Sequence, residues 1–332
     1  MKEIDGSHGE GGGQILRTAI AMSMINGEAV KIKNIRANRP NPGLSHQHLM
    51  AIKAAKEISD AEAEGLKKGS VTVTFTPNDI KGGFYRLDIG TAGSITLLLQ
   101  AVLPPAFLSD EPITIEVKGG TDVKWSPPYD YFENVFLGNV KKMGGEVSSE
   151  CIDRGHYPKG GGKVKIEAQP SNIHSLETGK KIDKVKGKAF VTNLPEHIAE
   201  RMKKSALKEL IEYETSISIE TYQSPSAGTA LTLWTEGDRI VGNGILGEKG
   251  VPAEEIGKEA AEGIIDDIEE GMDIDIWCAD QIIPYLGMAK NGGKLKVKEA
   301  TGHLETNVWV VNQFIDKKIE LKERNGFIWI EY

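Results

Sequence analysis

Cysteine is nearly absent from this chain, with Cys151 and Cys278 as the only two among 332 residues. Two distant thiols cannot build the disulfide framework of a small secreted domain, and they cannot form a thiolate zinc cluster. A reducing compartment is the simplest setting for such a composition. We therefore expect a cytoplasmic protein that is held together by an apolar core rather than by cross-links.

Long apolar runs and an excess of positive charge are also missing. No run approaches the roughly 20 apolar residues that span a bilayer, so we expect no membrane segment. Lys2, Glu3 and Asp5 are followed by glycines, which is unlike a secretory signal peptide. The formal net charge of −8 argues against non-specific coating of nucleic acid, although it permits a local basic cleft.

Glycine is concentrated near the start of the chain, where residues 5–17 read DGSHGEGGGQILR. A strand-like segment leads into this turn, and an apolar helical pattern follows from Gln14. Glycines permit close backbone approach, and a helix N-terminus favours anions. The segment therefore predicts a phosphate-binding turn. Glu10 is either a metal ligand or a helix-capping acid there, and Arg17 lies about one turn inside the helix.

One order of elements recurs three times along the chain. Helices that follow a turn begin near residues 14, 94 and 281, and each is followed by a strand, a second helix and two strands. The intervals are about 80 and about 187 residues, so about 107 additional residues precede the third unit. The spacing predicts an α/β protein, layered as α+β, with a large domain (1–179 and 276–332; repeats about 1–80, 81–179 and 276–332) and a smaller inserted α/β domain (180–275).

Candidate chemical groups lie at the turns that precede the predicted helices. Arg36 and Arg39 carry planar guanidinium forks that match phosphate geometry, although exposed arginines are often simply solvated. His303 ends a predicted loop before a helix that starts at Leu304, and such a histidine can be a nucleophile, a base, a metal ligand or a helix cap. The third unit is predicted to open with a helix at Asp280.

Two further motifs suggest less chemistry. His46 and His48 would point to different faces of the next helix, so we do not expect them to share a metal. The run YPKGGGK (157–163) lacks the ending of a phosphate-binding P-loop and precedes a strand, so we predict a hairpin connection there.

Seven motifs taken together resemble the RNA 3′-terminal phosphate cyclase family. They occur in family order between residues 5 and 307, and nearly the whole chain is covered. The resemblance implies a large domain of three βαβαββ units similar to the C-terminal domain of translation initiation factor three, with a small domain inserted near the third repeat. The motifs are DGSHGEGGGQILR, IRANRPNPGLSHQH, IGTAGS, GGTDVKWSPPYDYF, RGHYPKGGG, ADQ and GHLETN.

The resemblance also implies a reaction. Family members use ATP to convert an RNA 3′-terminal phosphate into a 2′,3′-cyclic phosphodiester, and they release AMP and diphosphate. His303 matches the nucleophile that forms a covalent histidine–AMP intermediate, from which AMP passes to the RNA as RNA-(3′)pp(5′)A. Glu10 matches the acid that contacts Mg²⁺ or Mn²⁺. The expected partner is RNA with a 3′-terminal phosphate, and the resemblance leaves a homodimer open.

Further site residues carry over by motif. Arg17, Arg36, Arg39 and Gln47 match positions tied to activity, which we expect at the RNA 3′-phosphate. Pro127 or Pro128 would cover one face of the adenine and Trp277 the other, although many relatives have Tyr or His where Trp277 stands. The expected ATP contacts are Gln100, Pro127, Trp277, Cys278, Ala279, Asp280 and Gln281. His8 receives no role.

Two alternatives to a cyclase remain at this point. The first is a catalytically inactive, cyclase-like ribosome-biogenesis protein, which would keep the fold and lose the nucleophile. The joint presence of four residues favours an enzyme instead: His303, Glu10, Arg17 and Gln100. The second is an enolpyruvyl-transfer enzyme built from related repeats, which would not need His303.

Overall fold

The first part of the chain forms a four-stranded sheet with two helices. The computed structural model describes all 332 residues, which form four separate sheets. The first sheet has the order β1-β2-β4-β3, and only β1 and β2 run parallel. Parallel neighbours need a crossover connection, which α1 supplies. The elements are β1 (Lys2–Asp5), α1 (Gly13–Asn26), β2 (Val30–Lys33), α2 (His46–Ile58), β3 (Glu62–Glu64) and β4 (Val73–Thr76).

The second part repeats this arrangement. Its sheet has the order β5-β6-β8-β7, again with a single parallel pair, β5 and β6, joined through a helix. The antiparallel strands β7 and β8 are joined through residues 154–161, so the predicted hairpin connection is confirmed. The elements are β5 (Gly83–Asp88), α3 (Ile95–Ala106), β6 (Ile113–Gly119), α4 (Tyr129–Tyr131), a π-helical turn (Phe132–Phe136), α5 (Leu137–Lys142), β7 (Val147–Asp153) and β8 (Gly162–Ala168).

The third part is a sheet with the order β10-β9-β11-β12, and two helices pack on it and on each other. The sequence pattern of this segment predicts three strands (188–192, 216–222 and 230–235), whereas the structure has four. The additional strand is β12, a five-residue edge strand whose sequence GNGIL lacks an apolar alternation. The elements are β9 (Ile182–Thr192), α6 (His197–Glu209), β10 (Thr215–Tyr222), β11 (Gly228–Gly237), β12 (Gly242–Leu246) and α7 (Ala253–Glu269).

The last part contains a three-stranded sheet with the order β13-β15-β14. This order matches the second, fourth and third strands of the first two sheets, and the last part has no equivalent of their first strand. The elements are α8 (Ile276–Met288), β13 (Lys294–Val297), α9 (Gly302–Asn312), β14 (Glu320–Arg324) and β15 (Phe327–Glu331).

Two helix starts differ from the sequence prediction. Helix α8 begins four residues before Asp280, because the Asp275 carboxylate accepts the backbone N–H groups of the first turn. Helix α9 begins at Gly302 rather than at Leu304, because the Thr301 hydroxyl accepts the Leu304 N–H. His303 therefore lies in the first turn of a helix and not in the loop before it.

The buried apolar residues form two clusters. The larger cluster has 63 residues, drawn from positions 4–176 and 274–332, and the smaller has 17, drawn from positions 185–272. Helix α1 is buried along most of its length and contacts α2, α3, α8 and α9. The helices that carry the predicted site residues therefore meet around α1. No helix combines the length and the apolarity that a membrane crossing requires.

Candidate active site

His303 and Glu10 form the centre of the site, although 292 positions separate them in the chain. The His303 Nδ1 atom lies 3.0 Å from the Glu10 Oε2 atom, and both side chains are partly exposed. Burial lowers the pKa of His303, the Glu10 carboxylate raises it, and Arg17 and Arg39 lower it, so the pKa lies below its usual value. The imidazole is therefore neutral at pH 7. Because a carboxylate only accepts hydrogen bonds, Nδ1 carries the proton and Nε2 keeps its lone pair.

Two arginines give the site its positive charge. The Arg39 Nη2 atom lies 3.5 Å from Glu10 Oε2, on the exposed side of the site. Arg17 is buried on α1, and its guanidinium makes one hydrogen bond, from Nε to Gln100 Oε1 at 3.3 Å. Burial lowers the pKa of Arg17 to about 10, so it is charged at neutral pH without a carboxylate partner. A buried cation of this kind favours an anionic ligand.

The glycine-rich turn leaves the start of α1 uncapped. The N-cap residue is Gly12, which offers no side-chain hydrogen bond, whereas α3, α8 and α9 are all capped by side chains. The first N–H groups of α1 are therefore available to an anion. Gly9 and Gly11 adopt positive φ angles of 53° and 57°, which a side chain would disfavour. A Cβ atom at Gly9 would lie 2.5 Å from Thr306 Oγ1, so the turn packs closely against α9.

A chain of amides joins the second and third repeats of elements. Gln100 on α3 donates from Nε2 to Gln281 Oε1 on α8 at 3.2 Å, and Gln281 donates to the Trp277 carbonyl at 2.7 Å. Thr96, one turn before Gln100, donates from Oγ1 to the Pro127 carbonyl at 3.0 Å. Pro127 is therefore bonded to α3 one turn before Gln100, and Trp277 lies on α8 one turn before Gln281. The Trp277 side chain is half exposed.

Asp280 positions the helix that carries His303. Its carboxylate accepts a hydrogen bond from Thr301, the N-cap residue of the helix that carries His303. Burial is the main cause that raises the pKa of Asp280 to about 7. Gln14 lies within 3.5 Å of the carbonyls of both Asp280 and His303. These contacts fix the start of α9 relative to α8 and α1.

A buried amide completes this support. Asn307, one turn after His303, donates to the Asp280 carbonyl and accepts from Thr18 Oγ1, the latter at 2.6 Å. One side chain thus joins α1, α8 and α9. Gln14, Thr301 and Asn307 were not predicted from the sequence. The only sequence signal for them is a polar residue beside or within an otherwise apolar helix.

Gln47 and His48 lie in the first turn of α2, and Arg36 lies in the turn after β2, near His48. Arg36 has a positive φ of 54° and donates from Nη1 to the Gly43 carbonyl at 2.9 Å. His48 is buried, and burial together with Arg17 and Arg36 lowers its pKa to about 3, so it is neutral. His48 therefore lies near two cations of the site, which the sequence did not suggest. Gln47 has its Cβ against Gly93, in the turn before α3.

Two of the predicted ATP contacts, Cys278 and Ala279, are buried away from the site. Cys278 and Ala279 are completely buried among apolar residues, so their side chains face the core rather than the site. Nowhere in the chain do three His, Cys, Asp or Glu side chains converge as metal ligands. Glu10 is the acid best placed to contact a metal. Its Oε2 atom contacts His303 and Arg39, whereas its Oε1 atom accepts no hydrogen bond.

Comparison with known proteins agrees with the motifs. The family model for RNA 3′-terminal phosphate cyclase matches residues 8–321. The chain belongs to the RNA 3′-terminal phosphate cyclase family. A protein of that name from Methanopyrus kandleri is 48% identical, covering 98% of this chain and 96% of the relative. Another from Pyrococcus furiosus is 49% identical (96% and 94%), and one from Archaeoglobus fulgidus is 44% identical (97% and 98%).

Family membership confirms two sequence-based predictions, the family itself and an enzyme of its class. It also agrees with the α/β architecture, since mixed sheets and helices are found throughout the matched residues. The comparisons do not favour an inactive relative. The roles of individual site residues stay predictions and are argued next.

Proposed function

We propose that the protein uses ATP to convert an RNA 3′-terminal phosphate into a 2′,3′-cyclic phosphodiester, with release of AMP and diphosphate. The observation that carries the proposal is the pair formed by His303 Nδ1 and Glu10 Oε2 at 3.0 Å. It holds a neutral imidazole with Nε2 free, next to a buried arginine without a carboxylate. A nucleophile beside unneutralised positive charge suits nucleotidyl transfer from a polyphosphate.

The reaction proceeds in three displacements. His303 Nε2 attacks the α-phosphorus of ATP, a nitrogen–phosphorus bond forms, and diphosphate leaves. The Glu10 carboxylate then stabilises the positive charge on the ring, whose Nδ1 proton it accepts as a hydrogen bond. An oxygen of the RNA 3′-phosphate next attacks the same phosphorus and releases His303. Finally the 2′-hydroxyl attacks the 3′-phosphorus, loses its proton and expels AMP. Only a nucleic-acid end with a 2′-hydroxyl can complete this step.

The cations divide the phosphate charge between them. Arg17 is buried and would neutralise the charge of the ATP phosphates. The uncapped N–H groups at the start of α1 would contribute to the same effect. Arg39 is more exposed and lies on the outer side of Glu10, which suits the RNA 3′-phosphate. Arg36, in the turn after β2, and Gln47, in the first turn of α2, would contact the same RNA phosphate.

The adenine would bind between Pro127 and Trp277. Pro127 is bonded to α3 one turn before Gln100, Trp277 lies on α8 one turn before Gln281, and the two glutamines are bonded to each other. The Trp277 indole is half exposed and offers an aromatic face on which the adenine can stack. The side chains of Cys278 and Ala279 are buried, so these two residues could contact ATP only through their backbone groups. The polar side chains of this segment that could contact ATP are those of Asp280 and Gln281.

The residues present fit a single hard metal ion. Glu10 has a free carboxylate oxygen, and hard cations often take one carboxylate together with substrate phosphates. Mg²⁺ or Mn²⁺ bound there would supply positive charge to the departing diphosphate. Glu10 would hold the ion through Oε1 while Oε2 orients His303.

The architecture supports a division into two domains. The large domain would comprise 1–179 and 276–332, as three units like those of the C-terminal domain of translation initiation factor three, and the small domain would comprise 180–275. The two separate apolar clusters and the shared strand orders support this division. A cytoplasmic location and a homodimer stay predictions.

Covalent labelling tests the proposal. The protein is incubated with α-labelled ATP and Mg²⁺ or Mn²⁺ and then separated under denaturing conditions. The wild type should carry acid-labile label, whereas His303→Ala should carry none. His174→Ala is the matched control, because His174 is exposed and its side chain forms a hydrogen bond only with the Ser175 carbonyl. Undiminished label in His303→Ala would overturn the assignment.

A further inference from the structure

Trp125 is the most exposed large apolar side chain of the protein, with 94% of its surface accessible. Its backbone adopts a φ of +62°, in the left-handed region that bulky residues rarely occupy. No aromatic ring stacks on it and no cation lies over it. An exposed indole on a strained backbone contributes little to the core, and such strain is found most often at functional sites, which makes Trp125 a candidate ligand contact.

The loop that carries Trp125 is firmly held. Ser126 Oγ donates to the Val123 carbonyl at 2.8 Å, and the Pro127 carbonyl accepts from Thr96 at 3.0 Å. Lys124 forms an ion pair with Glu248 at 2.6 Å. The loop that presents the indole is therefore fixed on both sides of Trp125, and Trp125 lies two residues from the proline of the proposed adenine site.

A second exposed aromatic ring lies on the adjoining loop. Tyr157 is 78% exposed, in the connection between β7 and β8. This connection is bonded to the Trp125 loop, because Thr121 N–H donates to the Gly155 carbonyl at 2.8 Å and Thr121 Oγ1 accepts from Gly155 N–H at 2.9 Å. Lys159 follows Tyr157, is exposed and forms no ion pair.

We propose that Trp125 and Tyr157 form a stacking platform for nucleobases of the RNA strand that leads to the 3′-terminal phosphate. Exposed aromatic rings interleaved with lysines are typical of single-stranded RNA sites, because every base has a face to stack. The platform adjoins the adenine site, whose own faces are Pro127 and Trp277. The proposal rests on the proposed function, which supplies the RNA end as substrate.

Binding of RNA without ATP tests the platform. A fluorescent single-stranded RNA of about eight nucleotides with a 3′-phosphate is titrated, and its anisotropy gives the Kd. Trp125→Ala and Tyr157→Ala should each raise the Kd roughly 5- to 100-fold, and Trp125→Phe should restore most of the affinity. Phe84→Ala is the matched control, because Phe84 is a half-exposed aromatic ring on β5. An unchanged Kd in both alanine variants would overturn the proposal.

An abasic series identifies the contact as a base. Removing single bases from the RNA should weaken wild-type binding at one or two positions and should cause no further loss at those positions in Trp125→Ala. Equal losses in the wild type and in the variant would contradict stacking on Trp125.

Self-adenylylation separates this proposal from the proposed function. Trp125→Ala should accept label from ATP as the wild type does. A loss of labelling with unchanged RNA binding would move Trp125 into the ATP site and overturn the platform. A wild type that never accepts label but binds RNA through Trp125 would overturn the proposed function and leave the platform standing.

Discussion

Two charged clusters of this protein make opposite use of arginine. In the buried cluster, Arg154 donates twice to Asp130 at 2.8 Å and twice to Asp122 at 3.2 and 3.4 Å. Its guanidinium also lies 4.3 Å from the centre of the Phe190 ring, and only its Nε lacks a partner. In the open cluster, Arg17 is also buried, yet it bonds only to the neutral Gln100.

The difference separates structural charge from functional charge. A buried cation surrounded by carboxylates is already neutralised, and Arg154 thereby joins elements whose apolar residues belong to the two different core clusters. A buried cation without a carboxylate is costly to the fold and is neutralised only when an anion binds. Both clusters lie beside glycine-rich motifs, so the motif alone does not distinguish them.

The largest expected effect on stability is that of Arg154→Met. The substitution leaves two buried carboxylates without their shared partner, so we expect the free energy of unfolding to fall by about 3–5 kcal/mol. Chemical denaturation measures this. Arg86→Met is the control, because Arg86 is exposed and its ion pair with Glu116 spans 3.7 Å, so it should cost less than about 1 kcal/mol. Equal losses in both variants would contradict a structural role for the buried cluster.

Arg17→Met should give the opposite result. We expect self-adenylylation to fall by about 10² to 10³-fold, because the substitution removes charge that stabilises the transferring phosphate. The free energy of unfolding should stay unchanged or rise, since a buried unpaired charge is lost. The labelling rate and the denaturation curve are compared with those of Arg201→Met. Arg201 is the control because its exposed side chain on α6 pairs with Glu254 on α7. A marked loss of stability in Arg17→Met would remove the contrast between the two arginines.

Asp280→Asn should change the pH dependence of stability. Because the pKa of Asp280 is raised to about 7, the folded state holds a proton that the unfolded chain releases above its usual pKa of 3.8. Stability should therefore fall as the pH rises between about 4 and 7, by about 1 kcal/mol per pH unit from this group. Asparagine still accepts from Thr301 and lacks this titration. Parallel curves for wild type and variant would count against a protonated Asp280.

In the metal-free protein without substrate, Glu10→Gln should change mainly one property, the pKa of His303, and this is the smallest of the expected effects. Glutamine can still accept the Nδ1–H of His303, but it removes the carboxylate that raises the pKa of His303. We expect that pKa to fall further below its usual value, since Arg17 and Arg39 then act unopposed. A metal-free NMR titration of the His303 ring reports it. A pKa that stays constant or rises would show that Glu10 does not set the charge state of His303.

Much of the architecture could be predicted because the recurring order of elements is written in local patterns. Most predicted strands and helices lie close to their observed bounds, although β9 begins at Ile182, six residues before its predicted start at Lys188. Two strands were missed, β5 and β12, because both lie at sheet edges and have few buried side chains. Neither sequence, GFYRLD nor GNGIL, has the alternation of apolar and polar residues on which the prediction depends.

The site shows a similar limit. Glu10, Arg17 and His303 could be identified by residue type within recognisable motifs, and the structure brings them together around the start of α1 and α9. Asn307 and Thr301 could not, because their importance comes from contacts with Asp280 that exist only after folding. The sequence pattern also places His303 in a loop, because the first apolar residue of the helix is Leu304. The observed helix begins two residues earlier, after the N-cap residue Thr301.

Peptide mapping of the adenylylated protein tests the central claim most directly. After incubation with ATP and Mg²⁺ or Mn²⁺, the protein is digested at neutral or alkaline pH and the AMP-bearing peptide is sequenced by mass spectrometry. We predict one modified residue, His303, in both the wild type and the folded fraction of Arg154→Met. AMP on any other residue, such as His8, or a lysine, would contradict the assignment of the nucleophile to the open cluster.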